Sequence, residues 1–374
     1  MSEWVINREE ILAAVDKLGL IPSRPGISSS EYICIKPRKS SIQMLLASEV
    51  SGYAIAKGKG NWIFDKPIYI DRRLFDPFIS AARNIKSKSD FHFIKSGKTE
   101  LTIINGTRKS KMTCSEPKHG YEDIGKTNGH EVKTEKELNT MLIAAKHCAE
   151  QETAVPELGC VYAKRSGKYV VLYATTGLLL FKARIKSKLH LKESIPFPLY
   201  IIDLLSNDKL VGVEATKKEV VLDFGNSKIW QTITVQAKKK FPYKQIDKQM
   251  QKQAKTAKLS YSIESKLLGQ VVDRLIGYLS SVRRLDWTLV QKEKKDSKYL
   301  DLIVPLGHTT FKDKVRVLHK VHKDFEISWP LDRIVGIIDT LASKKEKVDI
   351  YFDKENRAYL KTKNLELLIS RKVN

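Results

Sequence analysis

Ser96-Gly97-Lys98-Thr99 has the closing half of a phosphate-cradling loop: a glycine, a lysine and a hydroxyl residue. Such a loop needs another glycine five residues before Gly97, and His92 stands there. Without it the backbone cannot wrap a phosphate, so the segment reads as a hairpin turn. Gly58-Lys59-Gly60 lacks both a third glycine and a following helix, and it too reads as a turn. His319 and His322 lie where Val315, Val317, His319 and Val321 alternate. In a strand, side chains three apart face opposite sides, so this pair does not make a zinc site. Cys114 and His119 stand apart from other candidate ligands, and no carboxylates show spacing suited to a metal-dependent nuclease. Cys34, Cys114, Cys148 and Cys160 contain no CxxC pair, which argues against a disulfide scaffold and for a reducing cytoplasm. No nucleophile, base and orienting group can be named together. The expectation is a protein without catalysis, metal or cofactor.

The remaining chemistry is charge. Sixty-seven lysines and arginines against 43 acidic residues leave a net charge of +24. A field of that size attracts polyanions, of which nucleic acid is the commonest in the cytosol. The cations are spread along the chain, at Arg72/Arg73, Lys217/Lys218, Lys238–Lys240, Arg283/Arg284 and Lys344/Lys345 among others. Spread charge implies a broad basic surface rather than a basic tail. The longest apolar run, Tyr169 to Phe181, is interrupted by Thr175, Thr176 and Gly177 and is too short to span a bilayer. Met1-Ser2-Glu3-Trp4 has no secretory pattern. A soluble, cytoplasmic protein is expected.

A chain of 374 residues holds two or three domains at roughly 150 residues each. Three amphipathic helices recur at similar spacing: Asn7 to Leu18, Glu135 to Ala149, and Ile263 to Leu279. Each follows a short extended entry and precedes three strands. These are Tyr32–Ile35, Ser41–Ala47 and Ser51–Ala56; then Gly159–Lys164, Tyr169–Ala174 and Leu179–Ile185; then Trp287–Lys292, Tyr299–Pro305 and Phe311–His319. A second helix follows in each unit, Arg72–Ile85 capped by Asp71, Pro198–Leu205 and Pro330–Ala342, and further strands close the unit. The order helix, strands, helix, strands thus occurs three times. The fold class is α+β, with three similar domains at 1–127, 128–252 and 253–374.

Several segments then carry a resemblance. Ser23-Arg24-Pro25-Gly26 before Tyr32–Ile35 resembles a Gly-Arg-Pro-Thr step, and Tyr173 to Leu180 resembles an Ala-Thr-Asp-Gly-His-Arg-Leu signature. Lys240-Phe241-Pro242-Tyr243 resembles a Tyr/Phe-Pro-Asp-Tyr segment, and Leu367-Leu368-Ile369-Ser370-Arg371 sits where a terminal strand ends in Met-Pro-Met-Arg. In this order the segments resemble the bacterial replicative sliding clamp, the beta subunit of DNA polymerase III, over nearly the whole chain. Departures are clear. Thr176-Gly177-Leu178-Leu179 stands for Asp-Gly-His-Arg, the tail differs, and clamps of this family are typically acidic overall. A divergent, phage- or plasmid-borne member would fit.

The resemblance implies a DNA-clamp fold with helices lining a ring and antiparallel sheets outside. It implies a processivity factor that encircles duplex DNA as a head-to-tail homodimer and tethers a DNA polymerase, with a clamp loader as a further partner. DNA-contacting candidates are Arg24, Arg72, Arg73, Arg83, Lys17, Lys146, Lys266, Arg274 and Arg333, each also readable as a solvated surface charge. Arg72 and Arg73 open a helix, where cations oppose the macrodipole, so local stability does not explain them. A partner-peptide groove is expected at Thr175, Gly177, Leu178, Leu180, Pro242, Ile246, Leu367 and Ile369, with Leu180 and Leu367 equally readable as core. Dimer contacts are expected at Leu74, Phe78 and Met112, the last on an edge strand 109–114. The lysine-rich stretch 238–258 reads as a solvated linker. Two other readings remain: an open basic DNA-binding protein that forms no ring, and a DNA-modifying enzyme.

Overall fold

The computed structural model describes residues 3–21, 31–47, 50–60, 66–84, 89–95, 99–115, 132–133, 135–150, 155–189, 191–206, 210–216, 219–233, 241–279, 286–291, 299–306, 309–320, 325–330, 336–341, 346–353 and 357–370. Among the described residues, helices α1 (Arg8–Gly19), α2 (Arg72–Ser80), α3 (Lys136–Lys146), α4 (Leu199–Leu204), α5 (Tyr243–Thr256) and α6 (Ser265–Leu279) accompany 25 strands, an α+β architecture dominated by sheet. The segments gather in two compact units, residues 1–134 with 207–232, and 135–206 with 233–374.

In the first unit the Asn7 side chain accepts from the backbone N–H groups of Glu9 and Glu10 and starts α1. Ile11, Leu12, Ala14, Val15 and Leu18 form its buried face. Asp71 caps α2 through the N–H of Arg73, as its sequence position predicts. All strands of this unit form one antiparallel system. Eight of them close on themselves, because Glu3–Ile6 pairs with both Phe91–Lys95 and Val50–Gly60. Gly58 and Gly60 are therefore strand residues rather than a turn. A Cβ at Gly58 would run into the Trp4 indole, and one at Gly60 into the Glu3 carbonyl, so glycine here permits the close approach of the first strand. The strand Val50–Gly60 also pairs with Ser227–Thr232, which brings a segment distant in sequence into this sheet.

The second unit holds a nine-stranded and a four-stranded antiparallel sheet. Cys160–Ser166, Tyr169–Thr175 and Leu179–Lys186 form a meander, and Leu365–Ile369 adds to its last strand. Helix α3 packs on this meander through Leu138, Met141, Leu142 and Ala145. The four-stranded sheet runs Thr309–Arg316, Tyr299–Leu306, Asp286–Gln291, Phe325–Pro330. The stretch read as a solvated linker is instead helix α5 over most of its described part. Ile246, Met250 and Gln253 bury one face, while Lys244, Lys248, Lys252 and Lys255 stay exposed. The expected boundary at residue 252 falls inside this helix. Residues 322 and 97 lie outside the described residues, so His322 and the Ser96-Gly97-Lys98 turn do too.

Candidate nucleic-acid and partner surfaces

Arg72 turns inward. Its Nε donates to Asp76 Oδ2 at 2.7 Å, and its terminal nitrogens donate to the carbonyls of Ile21 and Leu18 at 2.9 and 3.1 Å. A guanidinium thus ties down the C-terminus of α1, adding a second donor at the Leu18 carbonyl, which also accepts from the Ile21 N–H at 2.9 Å, and binding the carbonyl of Ile21 just beyond the helix. This internal role explains a cation at a helix N-terminus without a phosphate. Burial pushes the Asp76 carboxyl above its usual range despite the Arg72 charge beside it. Arg73, next in the chain, is exposed and grips Asp71, whose carboxyl is held below its ordinary range chiefly by that hydrogen bond.

The other candidates follow a common pattern. Arg83 pairs with Asp16, Lys146 with Asp203, and Arg274 Nε donates to Asp313 at 2.7 Å. Lys17 stands 4.3 Å over the Phe224 ring. Lys266 is exposed at the start of α6. Arg24 and Arg333 lie outside the described residues. Five of the seven described candidates therefore carry a carboxylate partner, and sequence spacing reveals only the i,i+4 pair Arg72–Asp76.

The groove candidates do come together within the second unit. Leu179 and Leu180 sit opposite Ile369 and Leu368 in an antiparallel ladder, and the Ser370 N–H donates to the Leu178 carbonyl at 2.8 Å. The C-terminal strand thus lies directly beside the 176–178 turn. Thr175 and Thr176 build that turn, their hydroxyls accepting from the N–H groups of Gly177 and Leu179 at 3.0 and 3.1 Å. Gly177 has φ +83°, a backbone region that favours glycine, and open space surrounds it. Leu178 is 47% exposed, and Pro242 is exposed as well. Thr175, Leu180, Ile246, Leu367 and Ile369 are buried, so they support the site from within rather than line a surface.

Sequence reasoning missed the side chains that join α5 to the face of the meander at Tyr162, Tyr173 and Lys182. Phe241 stacks on Tyr162 at 4.1 Å between ring centroids, and Tyr243 lies 5.0 Å from both Phe241 and Tyr173. Asp247, on α5, accepts from the Tyr173 hydroxyl and from Lys182 Nζ, the latter at 2.6 Å. Burial, then the Asp247 charge, pushes the Tyr173 phenol up, so it stays a donor. The aromatic residues around Pro242 were the signal that could have found them.

Of the dimer candidates, Leu74 is 57% exposed on α2. Phe78 is half-buried, with the Arg108 guanidinium 4.6 Å over its ring. Met112 points into the core at 1% exposure, opposite Leu101, so its side chain cannot serve as a contact. Its strand Arg108–Ser115 nevertheless carries a ladder partner on one side only along 108–113, among the described residues. No cluster of three metal-ligating side chains occurs among the described residues, and no described helix is long and apolar enough to cross a membrane.

No family model and no curated protein matches the chain. Solved structures do. A DNA polymerase III beta subunit of Eubacterium rectale superposes with a TM-score of 0.79 at 13% identity, covering 100% of both chains. The DNA polymerase sliding clamp of Bacillus subtilis gives 0.79 at 12% identity, covering 100% of this chain and 99% of that one. The DNA polymerase III beta chain of Streptococcus pneumoniae gives 0.78 at 13%, again end to end. The fold is the sliding-clamp fold.

Proposed function

We propose that this chain is a DNA sliding clamp, a processivity factor that encircles duplex DNA as a head-to-tail homodimer and tethers a DNA polymerase. The observation that carries this is the end-to-end superposition on bacterial clamps at a TM-score of 0.79. Three repeats, 1–127, 128–252 and 253–374, make up each half of the ring. The net charge of +24 supports a polyanionic partner. The function is topological and non-catalytic: DNA is held by enclosure and by phosphate contacts without base readout, so the ring slides. Paired cations such as Arg73 and Arg83 suit this role, because each can share its charge between a carboxylate and a passing phosphate. Arg24, Lys17, Lys146, Lys266, Arg274 and Arg333 are further candidates for such contacts.

The 176–178 turn and the terminal strand form the docking point for a polymerase peptide, with Leu178 as the apolar anchor. Tethering raises the local polymerase concentration at the primer end. A clamp-loading ATPase is the further partner this mechanism calls for. The test is retention on DNA. Loaded protein should stay on nicked circular duplex during gel filtration and run off the same DNA once it is linearised. Equal retention on both would favour an open DNA-binding protein and overturn the ring.

A further inference from the structure

A pairing rule that the chain uses twice leaves two strand edges open. In the first unit, the third strand of the first repeat, Val50–Gly60, pairs with Ser227–Thr232, the last strand of the second repeat. In the second unit, the third strand of the second repeat, Leu179–Lys186, pairs with Leu365–Ile369, the last strand of the third repeat. The same rule applied once more needs Thr309–Arg316 against Arg108–Ser115. Thr309–Arg316 ends its four-stranded sheet, and residues 108–113 keep one free side among the described residues. A second copy supplies the missing strand at each edge, an assignment that rests on the clamp reading above.

The charges at these edges differ from those at the two internal seams. There, Lys228 sits opposite Tyr53 and pairs with Asp223 at 3.0 Å, while Lys182 sits opposite Glu366. On Arg108–Ser115, alternation exposes Lys109, Lys111 and Thr113 and turns Met112 into the core. On Thr309–Arg316 it exposes Thr310, Lys312, Lys314 and Arg316, while Phe311, Asp313 and Val315 are less exposed. Asp313, the one carboxylate of the two strands, is on that other face and bound to Arg274. Joining the edges with their buried faces aligned therefore sets Lys109 and Lys111 beside Lys312 and Arg316, with no carboxylate on either joining strand in that row, while Lys314 between them sits opposite Asp301 of its own sheet. Like charges on neighbouring strands oppose pairing.

We propose that this seam is held apart by its own charge: two copies join weakly at low ionic strength, and salt strengthens the ring by screening the lysine rows. Ring closure then depends on salt with the opposite sign to duplex binding, which salt weakens. The screening length falls from about 14 Å to about 4 Å between about 50 mM and about 500 mM NaCl, so the effect is large over that range.

Sedimentation velocity of the full chain without DNA tests this. The dimer dissociation constant should fall at least about threefold from the lower to the higher salt. Lys109→Glu with Lys111→Glu should tighten the dimer about tenfold or more at low salt and make it weaken with added salt. Lys312→Glu with Arg316→Glu should do the same from the other strand. Combining all four changes should lose most of that gain. A wild-type constant that is flat or rises with salt overturns the proposal, as do charge reversals that leave the dimer unchanged or weaken it. If circular DNA still retains the protein in those cases, the clamp reading stands and only the charged seam falls. A chain monomeric in every variant and at every salt, and equally retained on linear and circular DNA, overturns both.

Discussion

Arg72 and Arg73 are neighbours with different work. The Arg72 guanidinium is tied to Asp76 and to two carbonyls at the end of α1, whereas Arg73 holds only the exposed side of the Asp71 cap. Arg72→Met should strand the half-buried Asp76 carboxylate and cost about 1–3 kcal/mol in urea unfolding. Arg73→Glu should leave unfolding nearly unchanged but weaken duplex binding equally on any sequence. It should also reduce the log–log salt slope by about 0.9, the share of a single phosphate. A loss confined to one DNA sequence would contradict sliding. His147, the C-cap of α3, makes a second residue-scale case. Gly336 lies against its ring so closely that an added Cβ would overlap it. Burial, then the Lys146 charge, pushes the imidazole below its usual value of 6.5. The unfolded chain therefore takes up the proton first, so the contribution of His147 to stability is present above pH 6.5 and is lost as pH falls below it. His147→Gln should flatten the stability profile below pH 6.5, read as urea midpoints.

Elements with a clear apolar period are legible in the sequence. The helix starts at residues 8, 136 and 265 fall within two residues of their expected places, because Ile11, Leu138, Leu268 and their neighbours repeat at helical spacing. Helix α5 was not legible, since Ile246 and Met250 are its only strongly apolar buried positions in a lysine-rich stretch. Cross-strand partners were not legible either. Lys182 meets Glu366 across 184 residues of chain, and Arg83 meets Asp16 through the fold alone. Such contacts depend on tertiary register, which local periodicity does not encode. The candidate partner site shows the same division: the meeting of the 176–178 turn with the terminal strand was expected from resemblance, but the burial of Ile369 was not. Two truncations exploit this. Leu367→Ala removes a fully buried side chain and should destabilise the protein by about 2–5 kcal/mol. Leu178→Ala touches an exposed residue and should leave unfolding nearly unchanged. It should cost about 2 kcal/mol in polymerase-peptide binding and abolish processive extension if Leu178 is the anchor. Titrating a polymerase C-terminal peptide against both variants by fluorescence anisotropy separates the two roles.

At the scale of the molecule, the large positive charge and the local pairing of cations act together. With Arg83, Lys146, Arg73 and Arg274 each beside a carboxylate, no described candidate among these offers DNA an uncompensated charge. Phosphate contacts through such residues would be shared and shallow, so direct affinity for linear duplex should be modest and steeply salt-dependent. Retention by enclosure has no such dependence, because escape from closed circular DNA requires the ring to open rather than ion pairs to break. The two contributions can be separated on one substrate. After loading on nicked circular DNA, a wash from about 100 mM to about 500 mM NaCl should release little protein within the wash, while protein on the linearised form should leave at every salt. If the seam carries the lysine rows described above, the circular complex should even persist longer at the higher salt. Faster loss from circular DNA as salt rises would mean that ion pairs, not topology, hold the protein, and would return the chain to the class of open basic DNA-binding proteins.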